Sequence, residues 1–226
     1  WRLAIFAGVL AVMALWEVLA PRRPQHLARA TRWPGNLGIV VLDTVLVRLA
    51  YPVTAVGFAM LVEARGWGVL NALAVPGWIA VPLAAALLDG TIYAQHVLFH
   101  HVPVLWRLHR MHHADTEFDV TTGTRFHPVE ILLSMAIKLA VILALGAPPL
   151  AVLIFEVLLN ATAMFNHSNV RMPLALDRIV RWLVVTPDMH RVHHSVVASE
   201  THSNFGFNLP RWDRMFATYR VQPEAG

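Results

Sequence analysis

The chain has 226 residues, of which 57% are hydrophobic and 14% are charged, and its formal net charge is +4. Soluble domains typically carry about 25% charged residues, so this composition excludes an ordinary soluble domain. The absence of cysteine excludes disulfides, iron–sulfur clusters and thiolate metal sites, so any bound metal must use imidazole, carboxylate or water ligands.

Apolar segments dominate the chain, and runs of about 20 apolar residues predict membrane-spanning helices. The predicted spans lie at about 3–20, 36–62 and 69–88, and a longer apolar stretch follows at 129–165. The sequence Gly146-Ala147-Pro148-Pro149 divides that stretch and predicts a helical hairpin with two short arms. We therefore expect a single all-α domain over residues 1–226, an integral membrane bundle of four or five spans with a His-rich helical cap.

Basic residues are concentrated in three polar segments, 21–35, 89–128 and 166–226, which contain 4, 3 and 7 Arg. If the spans alternate in direction, the three segments lie on one side, and the positive-inside rule makes that side cytoplasmic. The cap should then face the cytoplasm, in a bacterial inner membrane or an ER-type membrane. Because the arginines flank spans, anionic lipid headgroups or an acidic partner explain them, and we expect no nucleic-acid binding.

A few charged residues lie within the predicted spans. Lys138 and Glu156 are nearly equidistant from the hairpin turn, so they should lie at similar depth, and we predict an ion pair between them. Asp43 and Arg48 are five residues apart and do not share a helix face well, so no partner is assigned to either.

Three histidine clusters follow the third span and the hairpin: His96-Val-Leu-Phe-His100, His109-Arg-Met-His112-His113 and His190-Arg-Val-His193-His194. Imidazole is the commonest protein metal ligand, and the i, i+3 and i+4 spacings place ligands on one face of a helix. With this histidine content, chance gives HxxHH about 0.04 times, yet the pattern occurs twice. The clusters therefore predict a metal centre.

The number of histidines exceeds what one metal needs, so two metals are expected. All-nitrogen ligation suits iron, copper, zinc or nickel. A redox metal at the membrane surface would activate O2 for attack on a C–H bond of a lipid. Zinc would instead support hydrolysis. A zinc-dependent membrane hydrolase is the alternative, although the HExxH pattern is absent. A non-catalytic metal-binding or transport protein would place its ligands at the bilayer midplane instead.

The clusters resemble the HxxxH, HxxHH and HxxHH boxes of the fatty acid hydroxylase/sterol desaturase superfamily, whose members are integral membrane di-iron enzymes. The resemblance covers about residues 75–219 and extends to the flanking segments 89–93, 126–130, 165–169, 203–206 and 212–219. The departures are Val97, where Arg is frequent, Phe205 in place of Tyr, and Ala217 in place of Gly. None of these departures removes a ligand.

This resemblance implies an O2-dependent di-iron hydroxylase or desaturase that oxidises a sterol, a fatty acyl chain or a related lipid. It implies two Fe ions, for which zinc substitutes in a purified sample, and O2 as co-substrate. Electrons would come from a separate donor, such as cytochrome b5, a ferredoxin or a reductase, because the chain has no flavin or dinucleotide motif. No catalytic residue separate from the metal centre is expected. The implied metal ligands are His96, His100, His109, His112, His113, His167, His190, His193 and His194.

Four further residues have open roles. His127 matches a motif histidine and is either a ligand or a donor to one. Glu130 and Asp188 are candidates to accept the remaining N–H of a ligand imidazole, and for Asp188 the alternative is capping of a helix. Asn204 either orients a ligand or forms a turn before Gly206. The remaining histidines, His26, His101 and His202, are expected to lie outside the metal centre.

Overall fold

The computed structural model describes residues 2–223, most of which lie in helices. The helices are α1 (Arg2–Leu19), α2 (Arg29–Ala50), α3 (Ala55–Ala64), α4 (Val69–Ala72), α5 (Gly77–His101), α6 (Pro103–His113), α7 (Pro128–Leu145), α8 (Pro149–Asn166), α9 (Leu174–Val180), α10 (Pro187–His193), α11 (Ala198–Thr201) and α12 (Arg211–Met215). A 3₁₀ turn lies at Thr122–Thr124. The described residues contain no β-strand, so the prediction of an all-α chain is confirmed.

Four segments are long and apolar enough to cross a membrane: 29–72, α5, α7 and α8. Helix α1 is also apolar but shorter. Large apolar side chains such as Leu15, Leu42 and Trp78 are exposed on these helices, as expected of surfaces that face lipid. An integral membrane bundle with four candidate spans agrees with the fold class predicted from the sequence.

The second and third predicted spans differ from the observed helices. The span expected at 36–62 is broken at 51–54, because Pro52 has no N–H to continue the helix. The Thr54 hydroxyl then starts α3 by accepting a hydrogen bond from the Gly57 N–H at 3.1 Å. The span expected at 69–88 begins as the short helix α4. The long helix α5 starts only after Pro76 and continues through the first histidine cluster.

The turn between α3 and α4 packs directly against the hairpin turn between α7 and α8. Gly68 has φ = 89°, and a Cβ at this position would lie 2.0 Å from the backbone nitrogen of Gly146. Only glycine tolerates both this backbone conformation and this close approach. The contact fixes the end of the hairpin remote from the histidines.

One buried stripe of α5 serves both the apolar core and the histidine clusters. Its residues follow at intervals of four and are all buried: Ala80, Ala84, Leu88, Ile92, His96 and His100. The small alanines let α5 approach α8, whose Val152 and Phe155 belong to the same core. The packing that holds α5 against α8 therefore also places the first histidines near the end of α8.

The ion pair predicted across the hairpin is present. Lys138 Nζ on α7 lies 3.3 Å from Glu156 Oε1 on α8, and both side chains are largely buried. A charge within a membrane span is costly unless it is paired, and this contact supplies the pairing.

Candidate metal centre

Helices α5 and α6 present the first two histidine clusters to each other. His96 and His100 lie on the last turns of α5, and the chain then turns at Val102. Pro103 begins α6, where its missing N–H costs no hydrogen bond. The last turns of α6 carry the cluster from His109 to His113.

The remaining histidines come from the C-terminal half of the chain. His167 directly follows α8, and α10 carries His190 and His193, with His194 at its C-terminal end. The Thr186 hydroxyl accepts a hydrogen bond from the Met189 N–H at 3.4 Å and caps α10, and Pro187 occupies its first position.

The nine histidines form two groups, in each of which one ring nitrogen per residue lies within 4.8 Å of all the others. The first group contains His96, His100, His109, His113 and His193. The second group contains His112, His167, His190 and His194. Each HxxHH cluster is divided between the two groups: the histidines at i and i+4 share one group, and the histidine at i+3 belongs to the other. Helices α6 and α10 therefore contribute to both groups at once.

The backbone fixes the tautomers of several rings. Four Nδ1 atoms lie against carbonyl oxygens: His96 against Phe205 at 2.8 Å, His112 against Arg125 at 3.2 Å, His167 against Ala163 at 2.7 Å, and His193 against Ser203 at 2.7 Å. A carbonyl oxygen only accepts hydrogen bonds, so each Nδ1 carries the proton and each Nε2 carries a lone pair. The lone pairs point into the interior of the two groups.

Within the groups, Nε2 atoms also face each other in pairs at short range. The Nε2 atoms of His112 and His167 lie 3.0 Å apart, and those of His96 and His109 lie 3.1 Å apart. Two unprotonated nitrogens repel each other unless a cation lies beside them. Two imidazoles on one metal, at bond lengths of about 2.1 Å, place their nitrogens roughly 3.0–3.4 Å apart. The geometry therefore fits imidazoles that share a metal ion.

Burial keeps these rings neutral. The side chains of His112, His167, His190 and His193 are fully buried. Burial lowers the pKa of His112, His190 and His193 well below the usual value and lowers the pKa of His167 to about 3. Neutral imidazole is the form that binds metals.

A cavity of about 390 Å³ opens onto the first group from between α2, α5, α7 and α8. His96 and His109 form part of its wall, together with apolar side chains such as Val47, Met135 and Leu159. The first histidine group therefore borders a space whose wall is partly apolar.

The sequence profile of the fatty acid hydroxylase family matches residues 81–218, more than half of the chain. The chain belongs to the fatty acid hydroxylase family.

Three relatives show the range of this family. The chain is 27% identical to ornithine lipid hydroxylase OlsE of Rhizobium tropici, over 99% of this chain and 68% of that protein. It is 29% identical to cholesterol 25-hydroxylase of Rattus norvegicus, over 64% of this chain and 48% of that protein. It is 28% identical to alkylglycerol monooxygenase of Xenopus tropicalis, over 60% of this chain and 29% of that protein. The chain thus spans half or less of the last two relatives. No solved structure matches it. As a member of this family, it is an oxidoreductase.

Glu130 supports one of the histidines of this family member directly. Its Oε1 lies 2.7 Å from His109 Nδ1, and both side chains are buried. A carboxylate in this position accepts the ring N–H, orients the imidazole and makes its other nitrogen a better ligand.

Three residues with open roles lie elsewhere. The Asp188 carboxylate pairs with Arg22 at 3.0 Å, and no contact with a ligand imidazole is seen for it within residues 2–223. Asn204 has φ = 53°, and its amide donates to the backbone oxygens of Met189 and Arg220, so it forms a turn. His127 lies outside both groups and caps α7, where its Nδ1 accepts from the Val129 N–H at 3.1 Å.

His101 and His202 also lie outside both groups. Their rings contact each other, with centroids 5.1 Å apart, and His101 Nδ1 bonds the Val97 carbonyl of its own helix.

Several residues that hold the site were not identified from the sequence. Glu17 on α1 is buried, and its Oε1 accepts from the backbone N–H groups of Val120 at 2.8 Å and Asn169 at 2.7 Å. These bonds join α1 to the loop that follows His167. The sequence signal that could have identified Glu17 is that it is a single acidic residue within an apolar helix.

Gly123 and Asp213 each help to position one histidine ring, His167 and His96 respectively. A Cβ on Gly123 would lie 2.5 Å from the Ala163 oxygen, the same oxygen that accepts from His167. Asp213 accepts from the Phe205 and Gly206 N–H groups at 2.7 and 2.9 Å and so fixes the carbonyl that faces His96.

Proposed function

We propose that this chain is an O2-dependent lipid hydroxylase whose nine clustered histidines hold two iron ions. One observation supports this proposal above others: inward-facing Nε2 lone pairs occur in two adjacent groups, and one group borders a cavity among membrane helices. Iron bound there would supply the reductive activation of O2 and the insertion of oxygen into a C–H bond. The named relatives act on ornithine lipid, cholesterol and alkylglycerol, which favours hydroxylation of a membrane amphiphile over desaturation.

The contribution of the protein is positioning and exclusion of water. Backbone carbonyls fix the ring planes of His96, His112, His167 and His193 before any metal binds. Such preorganisation avoids reorganisation during the reaction. The buried position of the groups and the apolar wall of the cavity keep bulk water from the reacting carbon.

We place the histidine groups on the cytoplasmic side, because the Arg-rich segments adjoin them. Electrons would then come from a separate donor on that side, a cytochrome b5, a ferredoxin or a reductase, since no flavin or dinucleotide motif occurs in the sequence.

Metal analysis of the detergent-purified chain, expressed with iron and studied by Mössbauer spectroscopy, tests the proposal. We expect about two irons per chain with an exchange-coupled signal. Incubation with membrane lipids, O2 and a reductant should give products heavier by one oxygen atom. Tightly held zinc without iron after reconstitution, together with lipid cleavage that needs no O2, would instead identify a zinc-dependent hydrolase.

A further inference from the structure

The cavity beside the first histidine group also has polar residues in its wall. Three of its oxygen atoms are buried and accept no hydrogen bond within residues 2–223: Asp43 Oδ1, Gln95 Oε1 and Glu130 Oε2. Their residues are 7%, 9% and 3% exposed. A buried acceptor without a donor costs about 1–3 kcal/mol, so three in one cavity indicate that an occupant supplies the donors.

The neighbours of these residues show which of their atoms lack a partner. Gln95 Nε2 donates to Ser134 Oγ at 2.5 Å, which leaves its carbonyl oxygen unpartnered. Glu130 uses Oε1 for His109 and leaves Oε2 unpartnered. Asp43 lies on α2, which packs against α7, and Gln95 directly precedes His96 on α5. The three residues thus come from three helices and line one cavity.

The buried charges around the cavity favour a hydrogen-bond donor over an anion. Lys138 also lines it, but its ammonium group is paired with Glu156. Arg48 lines it as well, yet Arg48 is largely exposed. The buried groups left for an occupant are therefore two carboxyl groups, Asp43 and Glu130, and one amide oxygen. A carboxylate or phosphate headgroup would add repulsion here and would satisfy none of the three acceptors.

We propose that Asp43, Gln95 and Glu130 form a subsite for the hydrogen-bond-donor group of the substrate, a hydroxyl or an ammonium. The substrate class is thus an amphiphilic alcohol or amine, whose apolar part lies along Val47, Met135 and Leu159. This inference rests on the proposed function, because it takes the cavity to be the substrate site of the oxygenase.

The position of Glu130 also limits which carbon reacts. Its carboxylate contacts the ring of His109, which would hold one of the metal ions. A donor group bound to Glu130 would therefore lie beside the His109 ring. Oxidation should occur within a few carbon–carbon bonds of the donor-bearing carbon, and not at the far end of the tail.

Binding measurements without reductant test the subsite independently of turnover. The probes are a primary alcohol, a primary amine, a methyl ether and a carboxylic acid with one saturated tail, titrated into the metal-loaded full chain in detergent. We expect the alcohol or the amine to bind at least tenfold more tightly than the ether and the carboxylate. Equal or tighter binding of the ether or carboxylate would overturn the proposal, whatever the variants show.

Variants separate the two donor classes. Asp43→Leu and Gln95→Leu should each weaken binding of the favoured donor about tenfold and leave the ether unchanged. Asp43→Asn keeps an acceptor oxygen but not the charge, so it should preserve binding of an alcohol and weaken that of an amine. Thr91→Val is the control, because the Thr91 hydroxyl bonds Leu87 of its own helix and lies outside the cavity.

Product analysis distinguishes this proposal from the proposed function. If the donor preference holds but no oxygenated lipid forms with O2 and reductant, the hydroxylase assignment fails and the subsite stands. If oxygenated products form but binding shows no donor preference, or oxygen enters only at the tail terminus, the subsite assignment fails and the hydroxylase assignment stands.

Discussion

His112 and His167 face each other through their Nε2 atoms at 3.0 Å, although 55 residues separate them in the chain. In each ring, Nδ1 forms a hydrogen bond to a backbone carbonyl oxygen, which fixes the orientation of the ring. The two lone pairs gain nothing from this approach unless a cation binds them both. A metal there would join α6 to the end of α8, so it would stabilise the packing of the cap on the hairpin as well as support chemistry.

The first prediction concerns His112. His112→Ala should abolish activity and lower the bound metal by about one ion per chain, while the spans still insert. The measurement is elemental analysis of the purified variant beside an O2-dependent product assay. His101→Ala is the matched control, since His101 lies on a neighbouring helix outside both groups, and it should retain both ions. Full activity with the metal retained in His112→Ala would refute the ligand assignment.

The second prediction concerns Glu130, which accepts the His109 Nδ1–H at 2.7 Å. Loss of such a partner typically weakens metal binding by about 10–100-fold. We therefore expect Glu130→Leu to lower the iron affinity by that factor and Glu130→Gln to lower it less, because an amide oxygen still accepts. Competition with a chelator gives the affinities. Glu63→Leu, at an exposed position on α3, should leave them unchanged, and an equal loss in that variant would contradict a specific role for Glu130.

The eight histidines of the three clusters lie together in the structure, because helical periodicity is a local property, and their binding of metal stays a prediction. The i, i+3 and i+4 intervals showed which rings share a helix face, and Thr186 with Pro187 marked the start of α10. The division of each HxxHH cluster between two groups could not be predicted. It depends on where packing over the whole bundle places α6 and α10.

Long-range contacts explain the other differences. Asp188 pairs with Arg22 across 166 residues, and no local pattern distinguishes that contact from a bond to an imidazole. The polar wall formed by Asp43 and Gln95 depends on the same packing of distant helices. By contrast, the break at 51–54 had a local signal in Pro52, which the apolar run obscured.

The third prediction concerns the stability of the metal-free protein. In an unfolded chain a histidine takes up a proton near pH 6.5, whereas burial lowers the pKa of His112 and His190 far below that value. Below pH 6.5 the unfolded state therefore binds more protons, so stability falls as the pH falls toward the folded-state pKa. Each such ring contributes about 1.4 kcal/mol per pH unit across that window.

Thermal unfolding of the chelated protein between pH 8 and pH 5 measures this effect. The melting temperature should be steady above about pH 7 and decline steeply below about pH 6.5. His112→Leu removes one buried ring, so its melting temperature should decline less steeply. If the melting temperature of the metal-free protein does not change with pH over this range, these rings are not held neutral by burial.

The fourth prediction concerns the ion pair of Lys138 and Glu156, which lie 3.3 Å apart between the two arms of the hairpin. Removing one partner leaves the other charge buried without its partner, whereas removing both does not. Lys138→Met and Glu156→Gln should each destabilise the protein, and the double variant should lose less than the sum of the two. We expect a coupling energy of about 0.5–3 kcal/mol from equilibrium unfolding in mixed micelles.

Lys138→Met combined with Thr91→Val provides the comparison, because Thr91 lies on another helix and bonds only its own backbone in the described structure. The effects of that combination should add to within about 0.5 kcal/mol. If the losses in the Lys138 and Glu156 variants are equally additive, the two charges do not stabilise each other. The stability of the hairpin would then rest on other contacts, such as its apolar packing and the Gly68–Gly146 approach.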